Sequence, residues 1–235
     1  MKKTFIALCC FSLLQGCNLD LNSDDSNQAY VFDYNFESGN QGWTAGFSDY
    51  PSDYEDLSIY ELSSGVTMLP ATTSKHGFHI AGHNRSDDLF MFIKTRVTGL
   101  QASSRYSANI KVSFLSAAGD QCFGIGGSPG SSVYVKFGFG ETEPKQADYY
   151  LSLDKGNQAS SGANANIIGD VAIAGKSCES ENFVAKTLTT TSTTELKLST
   201  NADGSIWLFI GTDSAYEGYT KLYYNQITIT LAPTL

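Results

Sequence analysis

Along most of the chain, single apolar and single polar residues alternate. In the stretch 106–114, Tyr106, Ala108, Ile110, Val112 and Phe114 fall on one side and Ser107, Asn109, Lys111 and Ser113 on the other. That period of two is the mark of a strand with one buried face. Stretches 132–139, 194–199 and 227–231 repeat it. Two further stretches, 88–97 and 206–210, are apolar almost throughout and predict central strands buried on both faces. Turn residues punctuate these runs at Gly65, Gly119, Gly130 and Gly204, and no amphipathic helix longer than a turn or two is evident. The pattern predicts an all-β protein, an antiparallel β-sandwich. Two stretches break the rhythm: 43–56, rich in aromatics and acids, and 156–169, rich in Gly, Asn and Ser. Both read as long loops on a rigid frame, where binding usually resides.

The first 17 residues carry a different pattern. Lys2 and Lys3 precede a short apolar run that ends in Leu14-Gln15-Gly16-Cys17. This is the layout of a secretory signal, and its end resembles the lipobox of bacterial lipoproteins. The resemblance implies cleavage before Cys17 and acylation of that cysteine, with the acyl chains as the membrane contact. Residues 1–16 would then be a signal peptide, 17–28 an acylated cysteine with a polar, acidic tether, and 29–235 a single domain. The expected location is exported and membrane-anchored, and Asn18 after Cys17 is compatible with the outer membrane. The whole chain has a formal net charge of −9, and loss of Lys2 and Lys3 takes it to −11. Such a surface argues against nucleic acid as a partner. Cys9 and Cys10 leave with the signal, so Cys122 and Cys178 remain to form a disulfide in an oxidising compartment.

Four sets of residues suggest chemistry. Gly126-Gly127-Ser128-Pro129-Gly130 matches G-x-S-x-G, the nucleophile elbow of serine hydrolases. However, Pro129 lacks the N–H an oxyanion hole would use, and the next stretch reads as a strand rather than a helix. The segment is therefore expected to be a turn. His76, His79 and His83 are the three histidines of the chain, and Asp87 and Asp88 follow. His79, His83 and Asp87 offer ligands for a transition metal; the alternative is a surface strand whose histidines pair with acids or backbone. Asp49, Asp53, Glu55, Asp56, Asp87 and Asp88 supply carboxylates for a hydrolase, for a hard cation such as Ca²⁺, or for solvation alone. Trp43, Tyr50 and Tyr54 lie in or beside this acidic stretch. Their faces would stack on a sugar while Asp49 and Asp53 accept hydroxyl hydrogen bonds. In the other reading, Trp43 and Tyr60 belong to the core.

The stretch Phe36-Glu37-Ser38-Gly39-Asn40-Gln41-Gly42-Trp43 resembles the F-E-x-G-x-x-G-W opening of jelly-roll carbohydrate-binding modules. Residues 222–230, Leu-Tyr-Tyr-Asn-Gln-Ile-Thr-Ile-Thr, are similar to their last strand. The resemblance implies a jelly-roll, galactose-binding-like topology and a structural Ca²⁺ held by Glu37 and by Asn225, which stands where those modules carry Asp. The middle of the chain is similar to uncharacterised exported bacterial proteins. Together these readings favour a membrane-tethered, non-catalytic glycan-binding module. The alternatives are an envelope structural or protein-interaction lipoprotein, and a carboxylate- or metal-dependent hydrolase.

Overall fold

The computed structural model describes residues 28–70 and 74–234. Cys17, the signal and most of the tether lie outside the described residues. Fourteen strands follow one another: β1 (Tyr30–Asn35), β2 (Thr44–Ser48), β3 (Ser63–Met68), β4 (His76–His83), β5 (Phe90–Val97), β6 (Arg105–Ser116) and β7 (Val133–Gly140). Then come β8 (Gln146–Ala147), β9 (Tyr150–Leu151), β10 (Ala165–Asp170), β11 (Val184–Thr189), β12 (Leu196–Ser199), β13 (Ile206–Ser214) and β14 (Tyr219–Pro233). Among the described residues, the helical content is two short 3₁₀ turns, Phe36–Ser38 and Leu57–Tyr60. Among the described residues, no helix is long and apolar enough to cross a membrane.

One sheet runs β11-β6-β14-β4-β3, with β1 also paired to β14 and β12 to β6; the other runs β10-β7-β13-β5-β2. All strand pairings are antiparallel. The inner faces meet in one core. Ile110, Val112 and Phe114 of β6 and Ile227, Ile229 and Leu231 of β14 pack with Met91 and Ile93 of β5, Val135 and Phe137 of β7, and Leu208 and Ile210 of β13. The alternation read from 106–114 is what makes this possible: every second side chain there is buried, and Lys111 between them is exposed. The antiparallel sandwich expected from the sequence is the architecture observed.

The doubly buried strands are explained by a second layer. Residues 141–164, between β7 and β10, cross the outer face of the five-stranded sheet and include the β8–β9 hairpin. Beneath them, Phe90, Phe92 and Phe209 form a small apolar cluster with Leu151, Ala165 and Leu153. These rings sit where neighbouring strands carry glycine. A Cβ on Gly46 would stand 2.3 Å from the Phe92 ring, and one on Gly138 would stand 2.1 Å from the Phe209 ring. Glycine is required there by close approach.

The disulfide expected between Cys122 and Cys178 is present, and it ties the β6–β7 connection to the β10–β11 connection. Ser128 sits in a turn, as read from the sequence. Its Oγ accepts from the N–H groups of Gly130 and Ser131 at 3.2 Å each.

Candidate functional site

A charge cluster lies under the covering segment, at the end of the sandwich that carries the β13–β14 turn. Asp213 comes from β13, Lys136 from β7, Asp49 from the residue after β2, Asp88 from just before β5, and Lys155 from the covering segment. The Lys136 and Lys155 ammonium groups stand 2.7 and 2.8 Å from Asp213 Oδ2. Lys155 also stands 2.7 Å from Asp49 Oδ2. Both aspartates and Lys136 are fully buried. Lys136 also donates to the carbonyls of Lys155 and Ser160 at 2.9 Å each, and the Leu151 N–H donates to Asp49 Oδ1 at 3.0 Å. Every bond of this set that reaches the covering segment pins it to the sheet. Lone charges would be prohibitively costly here, and Lys136, Lys155, Asp49 and Asp213 are each ion-paired.

Three carboxylates face two ammonium groups, so one negative charge is in excess. Burial pushes Asp88 up to about 7; the attraction of Lys155 opposes this, and the charges of Asp213 and Asp49 add to the rise. A protonated Asp88 would share its proton with Asp213 and relieve the excess of negative charge. Asp88 Oδ1 and Asp213 Oδ1 are both buried without a donor among the described residues, and a carboxylic acid supplies one. Burial also raises Asp49, against the pull of Lys155. For Lys155, burial favours the neutral form, but Asp213 and Asp49 outweigh it and raise its pKa above the ordinary lysine value.

Oxygen atoms of Asp49, Asp88 and Asp213 lie within 4.8 Å of one another. Calcium needs six to eight oxygens at about 2.3–2.6 Å. The Lys155 and Lys136 ammonium groups hold Asp213 Oδ2, and Lys155 also holds Asp49 Oδ2, so an ion using these oxygens would have to displace the lysines. Glu37 and Asn225, the pair implied by the jelly-roll resemblance, are not members of the cluster. Glu37 is exposed on the first 3₁₀ turn, and Asn225 lies at the bulge of β14 between Tyr224 and Gln226.

The histidine set is not assembled. His79 and His83 point to the same face of β4 but are four residues apart, about 13 Å by strand rise, too far to share one ion. His79 Nδ1 instead meets the Gly65 carbonyl at 2.8 Å, and His83 Nδ1 meets Glu61 at 3.0 Å. The Asp87 carbonyl accepts from the Gln158 side chain.

The aromatic set divides. Trp43 is fully buried and packs edge-on against Tyr34 and Phe36 at centroid distances of 5.3 and 6.3 Å. A ring so enclosed offers no face to a ligand, so the core alternative holds for Trp43, and Tyr60 is buried as well. Tyr50 is half-buried against Tyr60, and Asp49 is sealed in the charge cluster. Tyr54 and Asp53 are exposed.

The structure adds a partner that the sequence reading missed. The β8–β9 hairpin docks on residues 49–52: Asp49 N–H donates to Tyr149 O at 2.7 Å, and Gln146 Nε2 donates to Tyr50 O at 2.6 Å. This brings Tyr149 and Tyr150, edge-on at 4.8 Å, beside the acidic loop. Tyr150 is 64% exposed and walls a pocket of about 310 Å³ whose other polar lining includes Asp88, Asp154, Lys155 and Asn157. The N–H groups of Ala163 and Gly156 hydrogen-bond the Asp154 carboxylate and hold its pKa below the ordinary value.

One signal was available. Lys136 and Asp213 sit within apolar strands, where a charge demands a buried partner. No family model matches the chain, and no curated protein matches it. Among solved structures, it is similar to the K1 cleaved adhesin domain of Lys-gingipain from Porphyromonas gingivalis W83 at 10% identity, covering 85% of this chain and 97% of that one, with a TM-score of 0.41. A mannan-recognising carbohydrate-binding module, TmCBM27, aligns at 7% identity over 86% of this chain and 98% of its own, with a TM-score of 0.42. TmCBM61, solved with β-1,4-galactotriose, aligns at 10% identity over 83% of this chain and 92% of its own, with a TM-score of 0.33.

Proposed function

We propose that the domain is a non-catalytic glycan-binding module whose site is the pocket beside Tyr150. The observation that carries this reading is a tyrosine face, 64% exposed, standing next to carboxylate and amide groups in one concavity. An aromatic face covers the C–H side of a sugar ring, while Asp154 accepts and Asn157 accepts or donates hydrogen bonds at its hydroxyls. Tyr54 and Asp53, on the loop against which the hairpin docks, extend the surface for a longer chain.

The charge cluster does not itself supply a free carboxyl pair. Glycosidase carboxyl pairs stand roughly 5–5.5 or 6.5–9.5 Å apart. Two of the cluster's three carboxylates, Asp49 and Asp213, are held by lysine. The N-terminal pattern adds to the proposal an export signal, acylation at Cys17 and an outer-membrane anchor, all of them readings of the sequence.

The test is a glycan-array screen of the disulfide-bonded protein, followed by calorimetry on the hits. Tyr150→Ala should weaken binding at least several-fold, about 1 kcal/mol or more, with an unchanged melting temperature. Binding that ignores this substitution, or the absence of any glycan ligand, would overturn the reading.

A further inference from the structure

A second concavity lies elsewhere, and it is built on an open strand edge. Strand β14 pairs with β4 on one side through Tyr219–Tyr224, but β6 joins its other side only from Tyr223 onward. Antiparallel ladders alternate, so parity decides which groups point where. The N–H of Asn84 donates to the carbonyl of Gly218, in register with the Tyr219–His83 pair. Residues 218, 220 and 222 therefore bond toward β4. The N–H and C=O groups of Tyr219 and Lys221 point the other way, and no partner for them is found among the described residues.

The strand that would have covered them turns aside. After Ser116, Ala118 N–H bonds to Ser116 Oγ, and Ala118 O accepts from Ile173. The continuation of β6 thus leaves β14 and pairs at Gly119 with Ile173. Between the diverging chains lies a groove of about 620 Å³, with Val171 and Leu222 among its lining and Phe183, Tyr216 and Glu181 beside them. Long edge strands are commonly blunted by lysine. Lys221 does not cap this one, because its ammonium lies 5.2 Å over the Tyr223 ring.

We propose that this groove takes an extended segment of another polypeptide, which adds as a strand to β14. Two donor–acceptor pairs two residues apart repeat at about 6.8 Å, the repeat of an extended polypeptide. The apolar lining suits an apolar side chain on the incoming strand. Of the two charged side chains in the lining, Lys221 is engaged over Tyr223 and Glu181 is exposed, so the carboxylate favours basic side chains on the incoming strand's exposed face. The site is separate from the Tyr150 pocket and does not depend on what that pocket binds.

The test uses the full chain with its disulfide intact and a library of heptapeptides alternating Val with Lys or Thr. In the free protein, amide exchange should be fast at Tyr219 and Lys221 and slow at Thr220 and Leu222. A selected peptide should protect the two fast amides at least tenfold, and its affinity should fall with added salt. Lys221→Pro removes one edge N–H without touching the β4 ladder and should weaken binding at least tenfold. Lys221→Ala keeps the N–H, should bind as the parent does, and controls for folding. Slow exchange at both amides in the free protein overturns the proposal. So does failure of the library, or peptide binding unaffected by Lys221→Pro. Protection that rises with protein concentration alone assigns the edge to a second copy. A glycan that fills the groove and survives Lys221→Pro but not Tyr219→Ala assigns it to sugar; either result overturns the assignment to a partner strand.

Discussion

The shared proton in the charge cluster gives a quantitative prediction for Asp88→Asn. Asp88 titrates at about 7 in the folded protein and near 3.9 in an unfolded chain. Its folded pKa is the higher one, so folding takes up a proton between those values. The stabilisation from that proton is complete below about pH 4 and is lost as pH rises through 7. Three units correspond to about 4 kcal/mol unscreened. Asp88 borders the pocket, and allowing for solvent screening brings this to roughly 2 kcal/mol. Asparagine is neutral at every pH, and its amide donates to Asp213 Oδ1 as the acid does. The variant should therefore match the parent below about pH 4, exceed it by roughly a third of the full difference near pH 5, and exceed it by roughly 2 kcal/mol near pH 8.5. Urea titrations followed by the fluorescence of buried Trp43 measure both proteins, with linear extrapolation at each pH. Titrations elsewhere in the molecule cancel in the difference. A difference that stays constant from pH 5 to 8.5, or a variant less stable at pH 8.5, would refute the shared proton.

Other consequences follow from the same contacts. Lys155→Ala leaves Asp49 and Asp213 short of a cation and should lower stability by about 3–5 kcal/mol, read as a fall in urea midpoint with no recovery on adding salt. Because lysines hold the carboxylates, millimolar Ca²⁺ or excess chelator should leave the melting temperature unchanged. A rise of several degrees with Ca²⁺ would show that an ion displaces them. Reducing Cys122–Cys178, which are 56 residues apart, should cost about 2–4 kcal/mol in denaturant titrations while the β-sheet circular dichroism of the remaining protein persists.

Much of the fold can be read from residue alternation, because a sandwich buries every second side chain and Tyr106 to Phe114 obey that rule. The covering layer was legible too, in the unbroken apolar character of Phe90 to Ile93 and Ile206 to Ile210. The disulfide was expected by counting, on the reading that Cys9 and Cys10 leave with a signal and Cys17 is acylated. The site was far less legible. Lys136, Lys155 and Asp213 meet across long sequence separations, and no local spacing encodes their contact. Trp43 stands in an acidic, aromatic stretch that suggested a surface, but its large apolar ring is placed in the core by tertiary packing. His79 and His83 share a face, as the period of two requires, yet strand rise separates them where a helix would bring the same spacing together. Tyr150 escaped notice because its value comes from a two-residue strand whose docking onto Tyr50 is a matter of side-chain and backbone bonds.

The pairing of β1 with β14 has a mechanical consequence. Tyr30 is opposite Leu231 and Asn35 is opposite Gln226, so the chain enters the sandwich at one pole and runs toward the other. The Tyr219 edge lies about 40 Å from that entry, and the Asp213 end of β13 lies toward the same far pole. For a chain held upstream of Tyr30, any partner pulling at the far pole would load β1 and β14 along their length in opposite directions. Ladder bonds lie across the strands, so such a force shears the rungs of this six-residue pairing together instead of opening them one by one. A chain tethered upstream of Tyr30 would therefore meet tension at the far pole as shear on this ladder.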